Sequence, residues 1–177
     1  MRQLRNLLLT FFLLAPALAF AHGPTRQKLS LAVDVKAPPA EVWAVIGNFQ
    51  DMSWHPAVFS STGTGDNAID ATRVLTLGKE GGPTISEQLY KYDATKMSYS
   101  YRITAVDVAV LPVTNYSSHL TVTPTASGGS HIEWRGAFYR GYPNNDPPEN
   151  LNDAAAIAAV TGVYKAGLDA LEAKFGK

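Results

Sequence analysis

The chain has 177 residues, and its 15 Lys and Arg balance its 15 Asp and Glu to a formal charge of zero. That balance excludes the basic footprint of a nucleic-acid binder and the polybasic cluster of a lipid-surface protein. With no cysteine, disulfides and thiolate metal sites are excluded too, so stability rests on the hydrophobic core.

Arg2 and Arg5 precede an apolar run from Leu7 to Leu14, then Pro16 and Ala19-Phe20-Ala21. This is the charged, apolar and small-residue succession of a cleavable secretory signal. The run is too short for a membrane span, which needs about 20 apolar residues. Cleavage is expected after Ala21, leaving a periplasmic chain with no membrane association. It would span residues 22–177, with 13 basic and 15 acidic residues and a net charge of −2. That length is enough for one domain with a real core.

After a lead-in from His22 to Arg26, Leu29, Leu31, Val33 and Val35 alternate with Ser30, Ala32, Asp34 and Lys36. Period two predicts a half-buried strand. Ala37-Pro38-Pro39 stops it, and Pro39 opens a helix whose apolar face is Val42, Trp43, Val45 and Ile46, ending at Gly47-Asn48. A short helix or turn is predicted over Gln50 to Trp54, and His55-Pro56 then forces extended chain.

From Val58 to Tyr139 the pattern reads strand after strand, about six in all. A hairpin loop is expected at Gly78-Lys79-Glu80-Gly81-Gly82. Thr104 to Asn115 reads as an unusually apolar connector, and Gly141 to Asn150 as an acidic, Pro-rich loop. Asn152 to Phe175 predicts a long helix with Ile157, Val160, Tyr164, Leu168 and Leu171 toward the sheet. Strands clustered between helices argue α+β, here a curved antiparallel sheet of six to seven strands around the C-terminal helix, a helix-grip arrangement that leaves a cavity.

Several segments fall in a telling order: Ala37-Pro38-Pro39-Ala40-Glu41-Val42-Trp43, Ser53-Trp54-His55-Pro56, Glu87-Gln88-Leu89, Tyr99-Ser100-Tyr101, Asn115-Tyr116, Glu133-Trp134 and Val163 to Leu171. Together they resemble the START-like SRPBCC superfamily, in its polyketide-cyclase and dehydrase-like branch, over nearly all of the chain after the leader. An exported, cysteine-free member with Trp54-His55-Pro56 and the Gly167-Leu168-Asp169-Ala170-Leu171 ending resembles the MxaD-type periplasmic accessory proteins of methanol oxidation. That resemblance implies assistance to a methanol dehydrogenase and its cytochrome c acceptor. The superfamily also holds carriers of hydrophobic small molecules or lipids and cyclase or dehydrase-type enzymes.

Strand parity sorts the candidate residues. Arg73 shares a face with Leu75 and Leu77, and Glu87 with Ile85 and Leu89. A hairpin that closes Leu77 on Pro83 sets Arg73 directly opposite Glu87, either as an ion pair that fixes register or as a polar anchor for a ligand. Tyr99, Tyr101, Tyr116 and Trp134 lie on the apolar parity of their strands, as core packing or as a cavity lining. Trp54 and His55 sit in an aromatic turn near the expected cavity mouth. His119 and His131 fall on the polar parity. An amino-terminal His22 could chelate copper only with a second histidine, and no paired spacing offers one. No nucleophile elbow, phosphate loop or zinc-ligand run occurs. The candidate ligand-binding set is therefore Trp54, His55, Arg73, Glu87, Tyr99, Tyr101, Tyr116 and Trp134, with no catalytic residue, cofactor or metal assigned.

Overall fold

The computed structural model describes residues 23–176, so the expected leader, its cleavage point and His22 lie outside the described residues. The alternation of the first apolar stretch becomes β1 (Gln27–Val35), half-buried at odd positions and exposed at even ones up to the buried Val35. Pro38 is extended and Pro39 opens α1 (Pro39–Ile46), which buries Val42 and Ile46. The segment from Gln50 to Trp54 forms turns and no helix. Asn48 and Asp51 divert its backbone: their carboxamide and carboxylate oxygens accept from the amides of Gln50 and Ser53 at 3.0 and 2.8 Å. Such side-chain acceptors compete with helical hydrogen bonds.

Six strands follow: β2 (Val58–Thr64), β3 (Thr72–Leu77), β4 (Thr84–Asp93), β5 (Ser98–Val106), β6 (Val113–Pro124) and β7 (Ser130–Arg140). All pair antiparallel in the order β1-β7-β6-β5-β4-β3-β2. The first strand thus lies beside the last, and α1 with the turns after it carries the chain between opposite edges of the sheet. The expected connector from Thr104 to Asn115 is half strand, because β5 runs to Val106 and β6 starts at Val113. Only 107–112 is loop. A register shift between Thr114 and Ser117, with Asn115 at φ 49°, breaks the alternation that would have revealed the strand. Further shifts fall between Ser86 and Glu87, between Leu89 and Lys91, and between Val58 and Ser60. Bulges of this kind bend strands and raise their twist, which gives the sheet its concave face.

A 3-10 turn (Glu149–Leu151) leads into α2 (Asp153–Phe175), where the Asn152 side chain caps the helix by accepting from the Ala155 amide at 2.8 Å. α2 lies on the concave face, chiefly over β1 and β7. Its buried seam is Ala156, Val160, Tyr164, Gly167, Leu168 and Leu171. Ile157, expected to face the sheet, is 39% exposed. Ala156 takes the inward place, and its neighbour is turned about 100° around the axis. The β3–β5 side of the concave face receives less of the helix. It is covered by the 47–58 segment and by Leu111 from the β5–β6 loop, and this unequal cover sets up the site.

Candidate functional site

The Leu77 amide donates to the Pro83 carbonyl at 2.9 Å, closing the β3–β4 hairpin in the register that sets Arg73 opposite Glu87. Both side chains are buried on the concave face, at 1% and 4% exposure. Arg73 Nε donates to Glu87 Oε2 at 2.6 Å, and Nη1 donates to the Phe49 carbonyl. The guanidinium also lies over the Phe49 ring, 4.2 Å from its centre. Burial works against the Arg73 charge, and Glu87 overcomes it, holding the pKa above its ordinary value. On Glu87 burial wins: the carboxyl is pushed up although Arg73 pulls it down.

The aromatic candidates share the concave face but divide into groups. Tyr99 packs edge-on to Phe49 and tilts against Trp43, 6.2 and 6.0 Å between centres. Trp134 stacks on Tyr164 of α2, 4.4 Å apart and 11° from parallel. A run of hydrogen bonds joins this second group. Trp134 Nε1 donates to Ser118 Oγ at 2.8 Å and more weakly to the Tyr101 hydroxyl at 3.2 Å. Ser118 Oγ donates to the Arg135 carbonyl at 2.8 Å, so toward the Tyr164 hydroxyl, 2.9 Å away, it acts as acceptor. Tyr164, having donated, accepts from the Tyr116 hydroxyl at 2.7 Å. Every proton in the run from Tyr116 to Ser118 has one acceptor. Burial raises the phenols accordingly, Tyr164 to about 12 and Tyr101 and Tyr116 well above their usual value.

Two glycines make room for this group. A Cβ at Gly136 would fall 2.2 Å from the Tyr164 hydroxyl, and one at Gly167 would fall 2.7 Å from His55 Cδ2 and 2.9 Å from Trp134 Cζ3. His55 itself is buried at 2% exposure, edge-on to Trp134. Its Nδ1 accepts from the Ala57 amide at 3.2 Å, which assigns the proton to Nε2 for the Val163 carbonyl at 2.9 Å. Burial lowers its pKa, against the Val163 bond and with some help from Arg73. Trp54 packs on His55 and Trp134 at 5.8 and 5.7 Å.

Beside this aromatic group lies a cavity of about 80 Å³, lined on its aliphatic side by Met52, Val58, Leu75, Leu77, Ile85 and Leu111, among others. His55, Glu87, Tyr101, Tyr116 and Trp134 of the candidate set also reach it, and Glu87 is the one Asp, Glu, Lys or Arg in its wall. Arg73, Tyr99 and Trp54 stand behind that wall. Sequence reading missed Ser118, which shares the inward parity of Tyr116 and Leu120, and it took Tyr164 only for an apolar contact. On the convex face His119 is half-buried between the Ser100 and Thr121 hydroxyls, 2.8 and 2.7 Å away, and His131 pairs with Asp34. Among the described residues no group of three or more His, Asp or Glu is placed to hold a metal ion.

The architecture recurs in known proteins. The family described as polyketide cyclase / dehydrase and lipid transport matches residues 26–176. A solved structure of the protein XoxI from Bacillus cereus superposes with a TM-score of 0.70 at 31% identity, over 84% of this chain and 94% of that one. MLP-like protein 423 from Arabidopsis thaliana is 28% identical over 138 residues, 72% of this chain and 85% of that protein. Ribonuclease 1 from Panax ginseng is 25% identical over 103 residues, which span 66% of its length.

Proposed function

The chain belongs to the polyketide cyclase / dehydrase and lipid transport family, and from that premise we propose that it is a periplasmic binding protein that assists a dehydrogenase and its cytochrome c rather than turning over a substrate. The binding part of this reading rests on one observation. The concave face holds a mainly aliphatic cavity with a single carboxylate in its wall, the pattern of a small-molecule site: an apolar body with few polar groups fixing orientation. His55 is not free for general acid–base catalysis, since it spends both ring nitrogens on backbone groups. At about 80 Å³ the cavity is far smaller than the roughly 300–1,000 Å³ of drug-sized ligand sites, which argues against a carrier of long lipids. The periplasmic location comes from the leader sequence.

The partner role draws support from the two loops at one end of the sheet. Loops 107–112 and 141–150 touch: a Cβ at Gly141 would lie 3.1 Å from the Pro112 carbonyl carbon. Arg140 organises the second loop from below. Its guanidinium donates to the Tyr142 and Asn144 carbonyls, both at 2.8 Å, and to Asp153 Oδ2 at 3.3 Å. A loop so fixed is preorganised for contact and loses little entropy on binding. Its Asp146 and Glu149 suit a basic partner face.

Two measurements test the proposal. Methyl spectra of the protein with a panel of small apolar molecules should shift at Leu75, Ile85, Leu111 and Val163 without product formation. Conversion of any panel member would instead make the chain an enzyme. Stopped-flow electron transfer from a quinoprotein dehydrogenase to its cytochrome should quicken when the chain is added. Unchanged transfer, with no binding of either partner at tens of micromolar, removes the accessory role and leaves the binding role standing.

A further inference from the structure

Hydrogen-bond accounting in the cavity wall specifies more than an apolar ligand. Trp134 Nε1 donates to the Tyr101 oxygen, so the Tyr101 hydroxyl is an acceptor there and its own proton needs another destination. Tyr101 is buried at 2% exposure, and among the described residues no acceptor is within reach of that proton. This contrasts with Tyr116 and Tyr164, whose protons are both placed. Glu87 faces the same cavity. Its Oε2 takes Arg73 Nε, while the carboxylate has further lone pairs and makes no hydrogen bond to Tyr101. The wall thus offers one donor and one acceptor that do not hydrogen-bond each other, facing a space lined mainly by aliphatic side chains.

Resting on the binding role argued above, we propose that the cavity takes a compact aliphatic alcohol, whose hydroxyl accepts from Tyr101 and donates to Glu87. An alcohol is the simplest group that accepts and donates through one atom. A ketone can only accept, a chloroalkane does neither to useful strength, and an ammonium would add a second cation to a carboxylate that already serves Arg73. Six or more aliphatic side chains facing the same space call for a carbon body beyond water. The volume sets its size. An apolar cavity of about 150 Å³ accommodates benzene, so about 80 Å³ suits four or five heavy atoms. The buried ion pair gains a role from this geometry: the bond from Arg73 Nε holds the Glu87 carboxyl at the cavity wall, so Arg73 acts as a positioning residue.

The test uses 2-butanol, butanone and 2-chlorobutane, which match in size and differ in hydrogen bonding, titrated separately against the protein and followed by methyl shifts at the cavity wall. The expected order of affinity is alcohol, ketone, chloroalkane, with about two- to tenfold between neighbours, the range of one hydrogen bond. Tyr101→Phe keeps the Trp134 bond to Ser118 and so should fold. It should cost 2-butanol and butanone about two- to tenfold each and leave 2-chlorobutane unchanged. If 2-chlorobutane binds as tightly as 2-butanol, or if Tyr101→Phe leaves the affinities for 2-butanol and butanone unchanged, the alcohol assignment is overturned while the binding role stands. If none of the three shifts the wall methyls at millimolar concentration, the cavity is no site for a ligand of this size and the alcohol assignment falls. The binding role then rests on the wider ligand panel alone.

Discussion

The two sides of the concave face solve the same burial problem differently. Under α2, on the β6–β7 side, Trp134 stacks on Tyr164, and the hydroxyls of Tyr116, Tyr164 and Ser118 form a run with every proton placed. On the β3–β5 side, beyond the main contact line of the helix, aliphatic residues surround a cavity into which a carboxylate and a phenol look. The first side is closed because its polar atoms satisfy one another and its rings fill the space. The second is open because Arg73 and Glu87 pair with one another across β3 and β4 and leave Tyr101 unmatched. A site arises here where hydrogen bonding within the protein stops short.

The sharpest way to break this division is at the ion pair. Replacing Arg73 by Met alone should cost about 3–5 kcal/mol, since it strands a buried carboxylate, whereas Arg73→Met with Glu87→Leu should be near neutral or more stable. Denaturant titration of the single and double variants checks this. Equal losses in both would mean that the pair itself supplies stability.

The closed side should resist added atoms. Gly136→Ala places a Cβ 2.2 Å from the Tyr164 hydroxyl and should cost about 1–3 kcal/mol. Combining it with Tyr164→Phe, which removes the clashing oxygen, should recover part of that loss, so the two changes are coupled in a double-mutant cycle. Strict additivity would show that the hydroxyl is not held there. The open side should accept a methylene. Val163→Ile should change stability by no more than about 1 kcal/mol in either direction and weaken ligand binding, while Val122→Ile, in the packed region, should cost about 1–3 kcal/mol.

His55 stands where the two sides meet, and its titration gives the smallest effect. Its folded pKa is lowered by burial below the ordinary 6.5, so the unfolded chain binds the proton more readily. Stability from this group is present above pH 6.5 and is lost as pH falls through the folded value. His55→Gln keeps a donor for the Val163 carbonyl without titrating and should flatten the stability profile below about pH 6.5. An unchanged slope would place the acid sensitivity elsewhere.

What the sequence revealed, and what it hid, follows the same physics. The Arg73–Glu87 register was legible because Gly78 to Gly82 makes a hairpin loop and period two carries the register along both strands. β6 was only half legible: its bulge at Thr114 to Ser117 lets both Val113 and Tyr116 point inward, so the alternation reads as an apolar loop. Ser118 stood on the inward parity from the start, but a lone serine there carries no signal until three partners converge on it. Likewise Ala156, and not Ile157, sits in the helix seam, and Gly167 is part of it where a Cβ would meet the His55 and Trp134 rings. Which partner fills a given space is decided in three dimensions and leaves no period in the chain.

The division of the concave face can be read directly by pressurising crystals of the protein with xenon, which enters apolar cavities and ignores hydrogen-bonded packing. The account predicts one interior xenon site, bounded by Met52, Leu75, Ile85, Leu111 and Val163, with no shift of Trp134, Tyr116 or Tyr164. Xenon lodged between Trp134 and the helix, or no interior xenon at all, would contradict it.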